Sequence, residues 1–267
     1  MRYFFHIGYN GTQYSGWQKL PQITSVQSVM ETCIARVVKL PVAIFGCGRT
    51  DACVHASQYF FHIDLEPLDV EELKFRVNKH LPADIAVFDI IPVHGRPNAR
   101  LDAIQRTYDY FIHRYKDPFL HGVSSFYQEP ELDLEKMKAA TMLLSQYNNY
   151  RGFYRTTSKP KTTICKVSYA NLVVDDSGER LKFTISANRF LMGMVRIIVK
   201  RLIEVGGNNL SVDEFESYLM TTATPKDVRS AFPQGLYLSK VTYPFLDMKP
   251  RTRFDQLVNR ENTWREI

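Results

Sequence analysis

The chain has 267 residues, room for one large domain or two small ones, each with its own core. Hydrophobic residues make up 45% and charged ones 23%, as in an ordinary soluble globular protein, and a formal net charge of +6 with a pI near 9.0 favours an anionic partner. A secreted or membrane-spanning chain is not expected: the start MRYFFHIGYN lacks a long apolar stretch, and the most apolar run, residues 190 to 205, carries Arg196, Lys200, Arg201 and Glu204.

Residues 2 to 9 read as a strand, and Asn10-Gly11-Thr12 turns the chain. Thr24 with Gln27 predicts a capping box for a helix through residue 39, whose Val26, Val29, Met30, Cys33, Ile34, Val37 and Val38 follow the helical spacing. Pro41 ends it. A strand, a loop and a second strand then surround Asp51. Asp69 and Glu72 open a helix to about His80, and Ile85 to Val93 is a further strand. The basic stretch His94 to Ala103 contains Arg96, Pro97 and Arg100 and reads as a hinge.

Beyond it the pattern restarts. A strand is expected over residues 104 to 115, a helix from Asp133 to about Gln146, and a long strand over 162 to 174. Asp175-Asp176-Ser177-Gly178 forms a hairpin turn into a strand over 180 to 187. A helix from Phe190 to Val205 stops at Gly206-Gly207, Ser211 with Glu214 caps another, and Leu236 to Tyr243 is the last strand. The order has no strict βαβ alternation and no short repeat. It therefore predicts an α+β protein of two α/β halves, residues 1–100 and 101–246, with largely antiparallel sheets around a shared cleft and a polar tail over 247–267.

The loop Gly-Cys-Gly-Arg-Thr-Asp-Ala-Cys-Val-His-Ala-Ser, residues 46 to 57, carries the chemistry. Loop aspartates are mostly turn formers or surface ion-pair partners. Asp51 begins no helix and is flanked by apolar strands, and a loop held between buried strands is rigid enough to position a reacting group. An acid there needs cationic company. Arg49 is near in sequence. Arg196 shares its helix with Met192, Val199 and Ile203, so its guanidinium either reaches solvent or pairs with an acid brought from the other half. Tyr108 and Tyr110 share one face of their strand, along with Arg106; tyrosines there either fill the core or stack on bases while Arg49, Arg96, Arg100 and Arg106 take phosphates. Tyr110 is assigned to the core, and the strand pattern alone leaves Tyr108 open between the two. His55 is expected to brace the loop rather than transfer protons, though a place on the substrate is also open to it.

These residues resemble the tRNA pseudouridine synthases of the TruA type over about residues 3 to 243. Gly48, Arg49, Thr50, Asp51, Ala52, Val54, His55 and Ala56 match the signature Gly-Arg-Thr-Asp-Ala-Gly-Val-His-Ala. Further matches are Asn10-Gly11-Thr12, Gly16-Trp17-Gln18, Leu81-Pro82-Ala83-Asp84, Asn98-Ala99-Arg100, Arg106-Thr107-Tyr108-Asp109-Tyr110, Met194-Val195-Arg196 and Gly235-Leu236-Tyr237-Leu238. The resemblance implies isomerisation of uridine to pseudouridine in the anticodon stem-loop of tRNA, at or near positions 38 to 40. It also implies a homodimer whose clefts draw on both subunits, and no cofactor; the absent signal and membrane segments point to the cytoplasm, and no metal site is expected. Asp51 takes the place of the catalytic aspartate, Tyr108 of the tyrosine that stacks on the target base, Arg49 of the arginine that helps flip the nucleotide, and Arg196 of the aspartate's basic partner. Arg100, Arg106 and His55 are carried as substrate-binding residues.

The chain departs from the pattern at Cys53, where the family has glycine, and at Pro97, where it usually has phenylalanine. It also departs at Asn149-Tyr150-Arg151-Gly152-Phe153, and at Phe232-Pro233 before Gly235. Other readings are a paralogue acting on a different uridine, a non-catalytic RNA-binding relative, and a metal- or thiol-dependent RNA enzyme using Cys47, Cys53 and His55. The last is disfavoured because the four cysteines, Cys33, Cys47, Cys53 and Cys165, show no CxxC pair or ligand spacing.

Overall fold

A computed structural model describes residues 1–128, 131–155, 160–221, 223, 228–251 and 265–267. Within it the chain forms two compact units, residues 1–104 with 237–255 and residues 105–236 with 256–267. The last long strand thus belongs to the first unit, although its place in the sequence put it with the second half.

In the first unit β1 (Arg2–Tyr9) lies antiparallel between β3 (His55–Asp64) and β4 (Ile85–Val93). The short β2 (Phe45–Gly46) adds antiparallel to β3, and β9 (Leu236–Thr242) pairs with β3 in parallel at His55 and Ala56. Beside them run α1 (Val26–Val38), capped by Ser25, and α2 (Val70–His80), capped by Asp69. The α1 cap falls one residue later than the Thr24–Gln27 pattern predicts. The Ser25 and Ser28 hydroxyls close the box instead, since serine at the third helical position can also return a bond to the cap. α2 packs on β4, and Asn78 ties the two by bonding both the N–H and the C=O of Val87 at 2.8 and 2.9 Å.

β1 and β3 are buried on both faces, which is why their aromatic residues run together rather than alternate with polar ones. Phe5 stacks on Phe61 on one face, beside Trp17 and Tyr59; Phe4 meets Tyr243 and Phe245 on the other, with Phe60 also against Tyr243. A fully buried phenylalanine contributes roughly 2 kcal/mol. The tail continues over this second face: the Met248 carbonyl accepts from Gln58, and the Arg251 guanidinium lies 6.0 Å from the centre of the Phe88 ring. Residues 252–264, the bulk of the polar tail read from the sequence, lie outside the described residues.

In the second unit β8 (Arg180–Ala187) runs antiparallel between β5 (Gln105–His113) and β7 (Val167–Val174). Two short strands extend it, β6 (Ser125–Phe126), parallel to β5, and β10 (Arg265–Glu266), antiparallel to β7. α3 (Leu134–Leu143), α4 (Met194–Gly206) and α5 (Val212–Met220) pack on one another, and α3 packs on β7. Ser211 and Glu214 form the expected capping box, and Gly207 ends α4. α4 starts four residues later than its apolar pattern predicts, because Gly193 takes φ +72°, a left-handed turn that a helix cannot contain. The α+β class with largely antiparallel pairing is the observed one. Among the described residues no helix is long and apolar enough to cross a membrane.

Candidate active site

The loop between β2 and β3 is held by main-chain and hydroxyl contacts from segments far away in sequence. Cys47 N–H donates to the Phe60 carbonyl at 2.8 Å, and the Tyr59 hydroxyl to the Gly48 carbonyl at 2.6 Å. Burial holds the Tyr59 hydroxyl well above its ordinary pKa, so it remains a donor. The Thr50 and Tyr9 hydroxyls share a bond of 2.8 Å, and the Thr50 carbonyl accepts from Trp17 N–H at 3.2 Å. Cys53 N–H donates to the Tyr14 carbonyl at 3.1 Å, and Val54 N–H closes the turn on the Asp51 carbonyl at 3.2 Å.

Two glycines let these segments come this close. A Cβ on Gly11 would lie 2.1 Å from the Val54 carbonyl oxygen, and one on Gly16, whose φ is +92°, would lie 2.3 Å from the Thr50 carbonyl oxygen. Only a residue without a side chain fits either place. Gly48 is the opposite case, with no heavy atom within 4 Å of where its Cβ would be.

Asp51 is half-buried at the centre of this frame and Arg49 beside it is exposed. His55 is 1% exposed: its Nδ1 accepts from Gly11 N–H at 2.9 Å, and its ring stacks on Tyr237 with centroids 4.5 Å apart. In the neutral ring the proton is therefore on Nε2, and His55 fastens the Asn10-Gly11-Thr12 turn to the end of the Asp51 loop. Arg100 is exposed at the end of an Asn98 turn, in which Asn98 Oδ1 accepts from the N–H of Arg100 and of Leu101 at 2.9 and 3.1 Å. Ala99 between them is tied down at both ends, its N–H donating to His62 Nδ1 at 3.1 Å and its carbonyl accepting from the Tyr243 hydroxyl at 2.6 Å.

The other predicted residues belong to the second unit. Tyr110 is fully buried; its hydroxyl donates to the Phe232 carbonyl and accepts from the Ser125 hydroxyl, so it is a core residue. Tyr108, two positions earlier on the same face of β5, is half-buried and meets Phe190 edge-to-face, with centroids 5.0 Å apart and planes at 86°. Arg106 is half-buried and reaches the Asn188 carbonyl at 3.4 Å. Arg196, in the first turn of α4, is neither buried nor fully exposed. Its Nε donates to the Ala231 carbonyl at 2.8 Å, and Ala231 N–H returns a bond to the Arg196 carbonyl at 2.9 Å. That pair fixes both the backbone and the guanidinium plane of Arg196 against residues 228–235.

Cys53 takes φ +60°. It is the position where the family signature has glycine, and the left-handed backbone accounts for that preference. Its thiol points to the Thr12 carbonyl at 3.7 Å. Sequence reasoning assigned no role to Tyr9, Tyr14, Gly16, Tyr59, Phe190 or Ala231. The Asn10-Gly11-Thr12 and Gly16-Trp17 matches were the visible signal for the first group, since paired glycines in turns mark a close main-chain approach.

Comparison with known proteins identifies the chain's relatives. A family model described as tRNA pseudouridine synthase matches residues 147–244. The tRNA pseudouridine synthase A of Porphyromonas gingivalis is 39% identical over 247 residues, 91% of this chain and 97% of that protein. The protein of the same name from Parabacteroides distasonis is 40% identical over 246 residues, 91% and 96% of the two chains. That from Streptococcus pneumoniae is 31% identical over 246 residues, 91% and 98%. An antiparallel α+β chain with a clamped acidic loop and this much identity over nearly its whole length belongs to the tRNA pseudouridine synthase A family.

Proposed function

We propose that the protein is an isomerase converting uridine to pseudouridine in tRNA, within the anticodon stem-loop at or near positions 38 to 40. Membership of the family supports the reaction. The observation that carries the residue assignment is the Asp51 loop, whose main chain is held through Gly48, Thr50, Cys53 and Val54. A loop fixed at this density is what a reacting group needs, since small displacements cost large factors in rate.

In the reaction the bond from ribose C1′ to N1 of uracil breaks, the base turns, and C1′ bonds to C5. The hydrogen on C5 leaves as a proton, and N1 gains one. A base inside a stem cannot turn, so it is extruded into the site at a cost of a few kcal/mol. Asp51 acts on the sugar, either as nucleophile at C1′ or as the base that takes the C2′ proton. Arg49 supports the flipped nucleotide, Tyr108 stacks on the uracil while it is detached, and Arg100 and Arg106 meet phosphates. Arg196 is the cationic partner of Asp51, presented by its bond to Ala231. His55 serves the site by bracing the loop. The enzyme works as a cytoplasmic homodimer without cofactor.

Tritium release from tRNA transcripts labelled at C5 of uridine tests this, because forming the new bond must expel that hydrogen. Release by the wild type and none by Asp51→Ala is expected. Release undiminished in Asp51→Ala would remove the aspartate from the mechanism, and no release by the wild type from any tRNA would remove the activity.

A further inference from the structure

The stretch that anchors Arg196 also presents an aromatic ring that the reaction above does not use. Phe232 follows Ala231. Its N–H donates to the Tyr127 hydroxyl at 3.1 Å and its carbonyl accepts from the Tyr110 hydroxyl at 2.7 Å. Gly235, three residues on, sits so close that a Cβ there would lie 2.6 Å from the Phe111 carbonyl oxygen. The main chain of Phe232 is therefore bonded on both sides, and Gly235 is packed against Phe111. The ring leans on Tyr127, centroids 5.2 Å apart and planes 33° apart, yet 51% of the residue is exposed.

A single exposed apolar side chain is ordinary on a protein surface. Phe232 differs in three respects. Its backbone is bonded on both sides; it is one residue from the group that aims Arg196; and exposed Arg229 lies three residues before it. A rigid ring with one side backed by another aromatic and an arginine nearby is the arrangement by which proteins hold unpaired bases, stacking for the base and cation for its phosphate.

We propose that Phe232 is a stacking platform for an unpaired tRNA base flanking the target uridine, backed by Tyr127, and that it helps set which neighbouring nucleotides are accepted. This rests on the reaction proposed above. Extruding the target unstacks its neighbours, so a base becomes available for a protein ring at the moment of binding. Purines, with the larger π surface, are the preferred occupants.

The test compares Phe232→Ala, Phe232→Tyr and Phe232→Trp on unmodified tRNA transcripts. Loss of one base stack predicts a KM about tenfold higher in Phe232→Ala, with kcat changed less than KM, and a return toward wild type in Phe232→Tyr. The tryptophan variant should show emission quenched by tRNA beyond any quenching of the wild type. Wild-type KM in Phe232→Ala, or equal losses in the alanine and tyrosine variants with a lowered Tm, would overturn the proposal. Were the wild type to release no tritium, the reaction would fall, while quenching of the Phe232→Trp variant by tRNA would still support the platform and its absence would overturn it.

Discussion

Gly16 lies directly beneath the peptide that joins Thr50 to Asp51: a Cβ built on it would stand 2.3 Å from the Thr50 carbonyl oxygen and 3.0 Å from the Asp51 carbonyl carbon. Gly16 also has φ +92° and follows the residue whose N–H bonds the Thr24 carbonyl, so neither side of the contact can retreat easily. The position of the acid thus depends on a missing methyl group more than thirty residues earlier.

Gly16→Ala should therefore disable the enzyme although it replaces none of the proposed catalytic residues. The left-handed backbone alone costs about 1–2 kcal/mol, and relieving the overlap shifts the Asp51 loop. A displacement near 1 Å is expected to lower kcat for tritium release about 100-fold, in a protein that circular dichroism shows to be folded. A kcat close to wild type would show that the loop takes its position from elsewhere.

Cys53→Gly is expected to stabilise. A non-glycine residue at φ +60° costs about 1–2 kcal/mol, whereas glycine loosens the unfolded chain by about 0.4–1 kcal/mol, and the thiol contact to Thr12 at 3.7 Å is weak. The balance favours glycine by up to about 1 kcal/mol, or a Tm roughly 2 °C higher in a chain of this size. A lower Tm in thermal melts would mean that the thiol contributes more in the native loop than its geometry indicates.

His62 gives the stability a pH dependence. Burial first, and Arg2 next, push its pKa down from 6.5 to about 4, while Nδ1 is engaged by Ala99 N–H. Between those two values the unfolded chain binds a proton that the native one refuses, so stability falls as pH drops from 6.5 to 4 and this contribution levels off below. His62→Asn keeps an acceptor for Ala99 but does not titrate. Its Tm should decline less steeply over that window than the wild type's; parallel curves would assign the acid sensitivity to other groups, such as buried His6 beside Asp89.

Much of the local structure was legible because it is written in neighbouring residues. Asp69 caps α2, Ser211 and Glu214 box α5, and β4 spans Ile85–Val93 as its apolar run indicates. The misreadings have local causes too. Thr24 and Ser25 are adjacent hydroxyl residues, either able to cap α1, and the apolar run from Phe190 masks the break at Gly193. The core placement of Tyr110 was also anticipated, and the ring is fully buried.

Where most helices and strands form, and the family, could be read from the chain alone, because hydrogen bonds within a few residues and side-chain alternation are short-range effects. Tertiary structure decided what holds the Asp51 loop in place. Gly11, Gly16, Tyr9 and Tyr14 act on the loop from segments 30 or more residues away, and the Tyr59 hydroxyl reaches back 11 residues to the Gly48 carbonyl. It likewise decided that Ala231 orients Arg196 and that the main chain of Phe232 beside it is bonded on both sides. Contacts of that kind depend on the tertiary packing within each unit, and no spacing along the chain encodes them.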